Sequence, residues 1–71
     1  MRELKVGLIG YGMAGRVFHA PVIAAIPGLR LCKVVERRGQ TARERYPAVE
    51  VVGEAGALFE DEEIELVVVA T

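Results

Sequence analysis

The fold is decided by the stretch VGLIGYGMAG at residues 6–15, in which a short apolar run is followed by the three glycines Gly10, Gly12 and Gly15. The run at residues 4–9 is short, and the glycine directly after it favours a buried parallel strand. Apolar residues then recur with helical spacing over residues 17–26, up to the stop signal Pro27-Gly28. The glycines therefore form the turn between a strand and a helix. Pro21 lies inside this predicted helix, where it is expected to remove one hydrogen bond and bend the axis.

The same alternation continues to the end of the sequence. Strands are predicted at residues 29–35, 49–52 and 66–70, and the last is almost wholly aliphatic, so we expect it to be buried on both faces. Short helices are predicted between them, from a capping-box pattern at residues 41–44 and over residues 54–59. Alternating elements with short connections predict an α/β fold. It is the first half of a Rossmann-like parallel sheet, truncated after strand-helix-strand-helix-strand-helix-strand, with helices on both faces.

The three glycines have separate physical roles in such a turn. Gly10 permits the tight turn out of the strand, Gly12 lets backbone approach a pyrophosphate, and Gly15 lets the helix pack close to the strand. The helix that follows presents unpaired N–H groups to the phosphates. An acid, Glu36, ends the second strand at about the distance of 20 residues that a dinucleotide-binding unit requires. The predicted cofactor-binding residues of this loop are Gly10, Tyr11, Gly12, Met13, Ala14 and Gly15. The alternative is a glycine-rich turn without a ligand.

The residues around Glu36 bear on the choice between NAD and NADP. A carboxylate accepts hydrogen bonds from the ribose 2′-hydroxyl of NAD and repels the 2′-phosphate of NADP. Arg37 and Arg38 follow at once, and a guanidinium group holds phosphate oxygens in a bidentate fork. The alternative is that both arginines only pair with Glu36, Glu44 and solvent. We expect an NAD(P) site that accepts both cofactors and prefers NADP.

Composition argues against several other classes of protein. The chain has 71 residues and a net charge of −1, which gives no general attraction for nucleic acid. No apolar run reaches the roughly 18 residues of a membrane span, and the amino terminus lacks a signal-peptide layout, so we expect a cytoplasmic protein without a membrane partner. The single cysteine, Cys32, is expected to pack in the core. The lone His19 is expected to be structural, and the acidic turn at residues 60–63 to be a solvated connection.

Two segments resemble the Gfo/Idh/MocA oxidoreductases. The first is residues 6–15 followed by Phe18-His19-Ala20-Pro21, which is similar to the branch that carries a Phe-His-Ala-Pro segment after the glycine motif. The second is residues 61–71, which resembles the family's fourth strand and its lead-in. The resemblance covers essentially the whole chain. It implies hydride transfer between NAD or NADP and a sugar, cyclitol or related alcohol or carbonyl compound.

The resemblance also implies where the cofactor would lie. It places Glu36 and Arg37 at the adenosine ribose, and Ala70 and Thr71 near the cofactor at the end of the fourth strand. Many relatives carry Asp or Ser where this chain has Glu36. The cofactor-binding residues predicted outside the glycine loop are Glu36, Arg37, Arg38, Ala70 and Thr71.

The resemblance further implies that other parts of the protein, including its catalytic residues, lie outside residues 1–71. The resemblance implies a second domain with an open antiparallel sheet, which completes the active site and often makes the contact of a homo-oligomer. It also implies a catalytic lysine in a Glu-Lys-Pro segment, so no catalytic residue is predicted in this chain. No metal site is predicted either, because the chain has one cysteine and one histidine. We interpret residues 1–71 as a partial dinucleotide-binding domain, with the remainder of the domain and the substrate domain absent.

Two other classes of protein share part of this pattern. A methyltransferase has a similar glycine-rich loop, but its first strand usually carries an acid before the glycines, where this chain has Leu8-Ile9. A non-enzymatic nucleotide-sensing or CoA-binding module is the second alternative. A Glu-Lys-Pro segment further along the chain would distinguish the enzyme from both.

Overall fold

A computed structural model describes residues 3–12 and 18–70, and within them four strands alternate with three short helices. The elements in chain order are β1 (Leu4–Ile9), α1 (Ala20–Ala25), β2 (Leu29–Val35), α2 (Ala42–Arg45), β3 (Glu50–Val52), α3 (Ala55–Phe59) and β4 (Leu66–Val69). The predicted sequence of elements is confirmed, and the bounds of β1 and β2 agree with the prediction. None of the described helices is long and apolar enough to cross a membrane.

The strands form one parallel sheet in the order β3-β2-β1-β4. The chain therefore moves outward from β1 to β3 and then crosses to the other side of β1 to form β4. This reversal is the topological switch point, beside which open α/β sheets bind their ligands at the carboxyl ends of the strands. The Rossmann-like α/β fold expected from the sequence is thus present.

Helices cover both faces of the sheet. Val6 and Leu8 are fully buried and belong to one cluster with Ala20 and Ile23 of α1. Gly7, which alternates with them along β1, faces the opposite side. A Cβ atom on Gly7 would lie 2.6 Å from Cδ1 of Leu58, so α3 packs directly on this glycine. The absence of a side chain at Gly7 thus sets the distance between α3 and the sheet.

The fourth strand differs from the prediction. Within residues 1–71, Leu66 is 40% exposed and Val69 is 62% exposed, so the predicted burial on both faces is not found in this chain. The physical reason is that β4 lies at the edge of the sheet and, among residues 3–12 and 18–70, pairs with β1 alone.

The prediction for Cys32 is wrong, whereas the prediction for Pro21 depends partly on residues outside the described ones. Pro21 lies in the first turn of α1, and the two residues before that helix, Phe18 and His19, form part of a π-helical turn. The predicted lost hydrogen bond and bend depend on residues 16 and 17 as well, which lie outside the described residues. Cys32 is half-buried rather than a core residue. The register of β1 against β2 shifts beside it, because Val6 pairs with Leu31 whereas Gly7 pairs with Lys33.

The acidic turn at residues 60–63 holds two ion pairs rather than being only a solvated connection. Nζ of Lys33, a residue only 8% exposed, lies 2.6 Å from Oδ2 of Asp61, and Nζ of Lys5 lies 2.8 Å from Oε1 of Glu63. The hydrogen bond with Lys33 lowers the pKa of the Asp61 carboxyl, and the same bond raises the pKa of the Lys33 ammonium. These pairs fasten the turn to β1 and β2.

Candidate functional site

A groove of about 690 Å³ opens at the carboxyl edge of the sheet, beside the switch point between β1 and β4. This volume lies within the range of roughly 300–1,000 Å³ that is typical of small-molecule sites. The described residues that line it are Ile9, Gly10, Tyr11, Gly12, Val35, Glu36, Arg37, Arg38, Ala55 and Ala70. The fold therefore brings together the glycine loop, the end of β2 and the residue after β4, which are far apart in sequence.

The glycine loop leaves β1 by a turn that requires its first glycine. Gly10 has φ of 98°, in the left-handed region that side chains disfavour, and its N–H donates to the carbonyl of Val35 at 3.2 Å. At Gly12, no described atom lies within 4 Å of the position that a Cβ would occupy. Gly12 lines the groove, and none of the described atoms would prevent a side chain at this position from entering it.

The remaining residues of the predicted loop divide into two groups. Tyr11 is half-buried, packs against the core cluster and lines the groove, as expected for a side chain along the cofactor edge. Met13, Ala14 and Gly15 lie outside the described residues. The same holds for Thr71. Its neighbour Ala70 lines the groove and donates its N–H to the carbonyl of Ile9 at 2.8 Å.

The carboxylate of Glu36 is held by the chain that follows it. Oε2 accepts a hydrogen bond from the N–H of Thr41 at 3.1 Å and one from the Thr41 hydroxyl, and Oε1 accepts from the N–H of Ala42 at 3.0 Å. Partial burial raises the pKa of Glu36, but the hydrogen bonds from Thr41 and Ala42 outweigh it, so the pKa lies below its ordinary value. The side chain is therefore an ionised acceptor at neutral pH.

These contacts replace the capping box predicted at residues 41–44. Thr41 occupies the N-cap position of α2, but its side chain makes no capping hydrogen bond to the helix. Its hydroxyl instead donates to Glu36, which also accepts the first N–H of the helix. The predicted capping box is wrong because a carboxylate from outside the helix binds these donors.

Arg37 and Arg38 are exposed and line the groove next to Glu36. Within the described part of the chain, neither guanidinium group has a hydrogen bond or an ion pair. The alternative in which they pair with Glu36 is therefore not observed, since Glu36 binds Thr41 and Ala42 instead. The guanidinium groups of Arg37 and Arg38 are thus available at the end of β2 to bind an anionic group in the groove.

His19 lies away from this constellation. It is half-buried at the N-cap position of α1, makes no capping hydrogen bond and is not among the residues that line the groove. Across residues 3–12 and 18–70, no group of three acidic, histidine or cysteine side chains is placed to hold a metal ion.

Some residues of the site were not singled out from the sequence. Val35 and Ala55 line the groove because they end β2 and begin α3, next to the carboxyl edge of the sheet. Val35 ends one predicted strand and Ala55 follows another, and these positions in the sequence could have indicated that both residues lie near the site. Thr41 gave no such signal, since its contact with Glu36 depends on how the intervening turn folds.

The residues present fit the adenosine and pyrophosphate parts of a dinucleotide. Gly10 turns the backbone at a φ of 98°, Gly12 adds no side chain to the groove, and Arg37 and Arg38 contribute positive charge to its lining. A parallel sheet in the order β3-β2-β1-β4 with such a loop after β1 defines the class of Rossmann dinucleotide-binding domains.

Comparison with known proteins identifies the family of Rossmann domains to which the chain belongs. Residues 4–71 match the family described as "Oxidoreductase family, NAD-binding Rossmann fold", that is Gfo/Idh/MocA. The chain belongs to this family. It is similar to the uncharacterized oxidoreductase YdgJ of Escherichia coli K12, with 43% identity over 97% of this chain and 20% of YdgJ. It is also similar to the scyllo-inositol 2-dehydrogenase (NADP(+)) IolW of Bacillus subtilis, with 37% identity over 96% of this chain and 19% of IolW.

Solved structures agree with this assignment. A crystal structure of a Bacteroides fragilis protein has a TM-score of 0.93 and 45% identity, and covers 100% of this chain and 22% of that protein. GenD2 from gentamicin A biosynthesis, solved in complex with NAD, has a TM-score of 0.87 and 32% identity over 100% of this chain and 21% of GenD2. The chain thus spans about a fifth of the length of the relatives that it matches.

Proposed function

We propose that the protein containing this chain transfers a hydride between NAD(P) and a sugar, cyclitol or related alcohol or carbonyl compound. The groove at the switch point, formed by the glycine loop and the end of β2, is the observation that carries this proposal. Membership of an NAD-binding oxidoreductase family supports the reaction type. The name of IolW, a scyllo-inositol 2-dehydrogenase (NADP(+)), supports the choice of a cyclitol among the candidate substrates.

The residues of this chain bind and orient the cofactor rather than move protons. Gly10 and Gly12 let the backbone N–H groups approach the pyrophosphate, and Tyr11 and Ala70 contribute to the lining of the groove. Arg37 and Arg38 bind the adenosine ribose or its phosphate. When bound, the nicotinamide ring accepts a hydride from the alcohol carbon or donates one to the carbonyl carbon. Proton transfer to and from the substrate oxygen belongs to residues outside residues 1–71.

We propose further that the site accepts both cofactors and prefers NADP. Arg37 and Arg38 have no partner among the described residues, whereas the negative charge of Glu36 is already met by three donors from Thr41 and Ala42. A 2′-phosphate would therefore meet two cations beside one ionised carboxylate whose hydrogen bonds are directed to Thr41 and Ala42. The 2′-hydroxyl of NAD would gain less from the same arginines.

Turnover by the full gene product tests the reaction. The assay follows absorbance of the reduced nicotinamide while NADP or NAD is offered with scyllo-inositol, other cyclitols and aldoses. We expect reduction of the cofactor with at least one cyclitol or sugar, and the matching carbonyl compound as product. Cofactor binding without turnover on any of these alcohols or the corresponding carbonyls would contradict the proposed reaction and favour a nucleotide-sensing module.

The cofactor preference has its own test in the variant Arg37→Ala. The ratio of kcat/KM for NADP to that for NAD should fall by a factor equivalent to about 1.5–3 kcal/mol, because a charge-assisted hydrogen bond to the 2′-phosphate is lost. Arg45→Ala is the matched control, since Arg45 is exposed on α2 and does not line the groove. Equal losses for both cofactors in Arg37→Ala would contradict the preference, as would a wild-type protein that does not use NADP.

A further inference from the structure

Glu36 occupies the position at the end of β2 where Rossmann domains carry the acid that hydrogen-bonds the ribose. In this structure, however, its carboxylate accepts hydrogen bonds from other residues of the chain. Both carboxylate oxygens accept hydrogen bonds from residues five and six positions further on, namely Thr41 and Ala42. A carboxylate offers about four acceptor positions, and three of them are used here. Most of the hydrogen-bonding capacity of Glu36 is thus committed before a cofactor arrives.

These hydrogen bonds close the turn at residues 37–41 on the end of β2. Gly39 has φ of 80°, which lets the backbone reverse within this short segment, and its Cβ position lies 4.0 Å from Oε2 of Glu36. The N–H of Glu36 donates to the carbonyl of Val52 at 2.9 Å, so the start of the turn is fixed to β3 as well. The turn therefore wraps around the carboxylate, and both of its ends are anchored.

The two arginines of the groove lie on this anchored turn. Arg37 and Arg38 line the groove but make no hydrogen bond or ion pair with the other described residues. Their backbone position is consequently set by the bonds at Glu36, not by contacts of their own side chains. Ordering a mobile turn at the moment of binding would lower affinity, and a turn that is already fixed avoids that loss.

We propose that Glu36 is a positioning residue: by holding the turn at residues 37–41, it presents Arg37 and Arg38 to the adenosine end of the cofactor and so sets the preference for NADP over NAD. This inference rests on the proposed function as a dinucleotide-binding domain. It differs from direct recognition, in which Glu36 itself accepts a hydrogen bond from the ribose hydroxyl and repels the 2′-phosphate.

Thr41 separates these two roles, because it bonds to Glu36 but does not line the groove. Thr41→Val removes the hydroxyl donor and keeps the shape of the side chain, and Thr41→Ser keeps the hydroxyl as the matched control. Glu36→Gln replaces one acceptor oxygen with an amide NH₂ group. The full gene product of each variant is titrated with NADPH and with NADH, and Kd is obtained from the fluorescence of the reduced nicotinamide without any substrate.

We expect Thr41→Val and Glu36→Gln to raise the Kd for NADPH by about tenfold more than the Kd for NADH, and Thr41→Ser to resemble the wild type. Circular dichroism and the Tm of the cofactor-free protein check that each variant folds. If Thr41→Val fails to fold, Glu36→Gln decides. A Glu36→Gln variant that binds NADPH more tightly and NADH more weakly would overturn the positioning role, as would a folded Thr41→Val variant with unchanged Kd values. A wild type that binds neither cofactor would instead contradict the proposed function itself.

Discussion

Gly7→Ala tests how closely α3 approaches the sheet. The added Cβ would lie 2.6, 2.9 and 3.0 Å from Cδ1, Cγ and Cδ2 of Leu58. Carbon atoms in van der Waals contact are separated by roughly 3.5–4.0 Å, so the leucine side chain would have to move by about 1 Å. Leu58 is fully buried and belongs to α3, which packs on β1, so we expect the strain to spread into α3 or β1.

The expected loss of stability follows from two opposing effects. Overpacking of a dense core costs about 1–3 kcal/mol, whereas replacing Gly with Ala stabilises by about 0.4–1 kcal/mol through the unfolded state. We therefore expect Gly7→Ala to lower the free energy of unfolding by about 1–2 kcal/mol. The measurement is chemical denaturation of the full gene product, followed by circular dichroism.

Two further variants test whether the loss of stability in Gly7→Ala arises from the contact with Leu58. Gly53→Ala is the control, because Gly53 is exposed and no described atom lies within 4 Å of its Cβ position, so we expect no destabilisation. In the background Leu58→Ala, the added methyl of Gly7→Ala has room, and its cost should largely disappear in a double-mutant cycle. A Gly7→Ala variant as stable as the wild type, or the same cost in both backgrounds, would refute the packing argument.

Two further predictions concern residues outside the groove. His19→Gln should lower the Tm of the protein more than it lowers kcat, because His19 does not line the groove, and a drop in kcat of more than about 100-fold at unchanged Tm would indicate general acid–base catalysis instead. Asp61→Asn should destabilise the protein at neutral pH, since it removes the carboxylate that lies 2.6 Å from Nζ of Lys33. The folded state lowers the pKa of Asp61, so the stability from this pair is present above the unfolded pKa and is lost as the pH falls through the folded pKa. Denaturation curves at several pH values should therefore show the difference from the wild type shrinking in acid, and a difference that is constant with pH would count against the ion pair.

The order of elements could be predicted from the sequence because its signals are local. A run of apolar residues closed by glycine predicted β1 at Leu4–Ile9, and the stop signal at Pro27-Gly28 separated α1 from β2. The predictions that failed depended on neighbours instead. Within residues 1–71, the exposure of Val69 follows from the edge position of β4, and the half-buried position of Cys32 lies beside the shift in register between β1 and β2.

In the candidate site too, the features that depend on neighbouring residues in the sequence could be predicted, and those that depend on contacts in the fold could not. The positive φ of Gly10 and the placement of Arg37 and Arg38 in the groove agree with what the glycine spacing and the end of β2 predicted. The binding of Thr41 and Ala42 by Glu36 could not be predicted, because it depends on the path of the turn between them. An acid at the end of β2 could be recognised from the sequence, but the direction in which the Glu36 carboxylate points could be seen only in the structure.

The most direct test of dinucleotide binding at the glycine loop is a fluorescence titration of NADPH and NADH against the Gly12→Asp variant of the full gene product. Gly12 lines the groove and its backbone is open, so an aspartate there would occupy the phosphate position and repel the pyrophosphate. Gly53→Asp adds the same charge at an exposed glycine that does not line the groove. We expect Gly12→Asp to raise both Kd values by at least about 100-fold (about 2.8 kcal/mol) with an unchanged circular dichroism spectrum, and Gly53→Asp to bind as the wild type does. Titration curves for Gly12→Asp that coincide with those of the wild type would contradict the account.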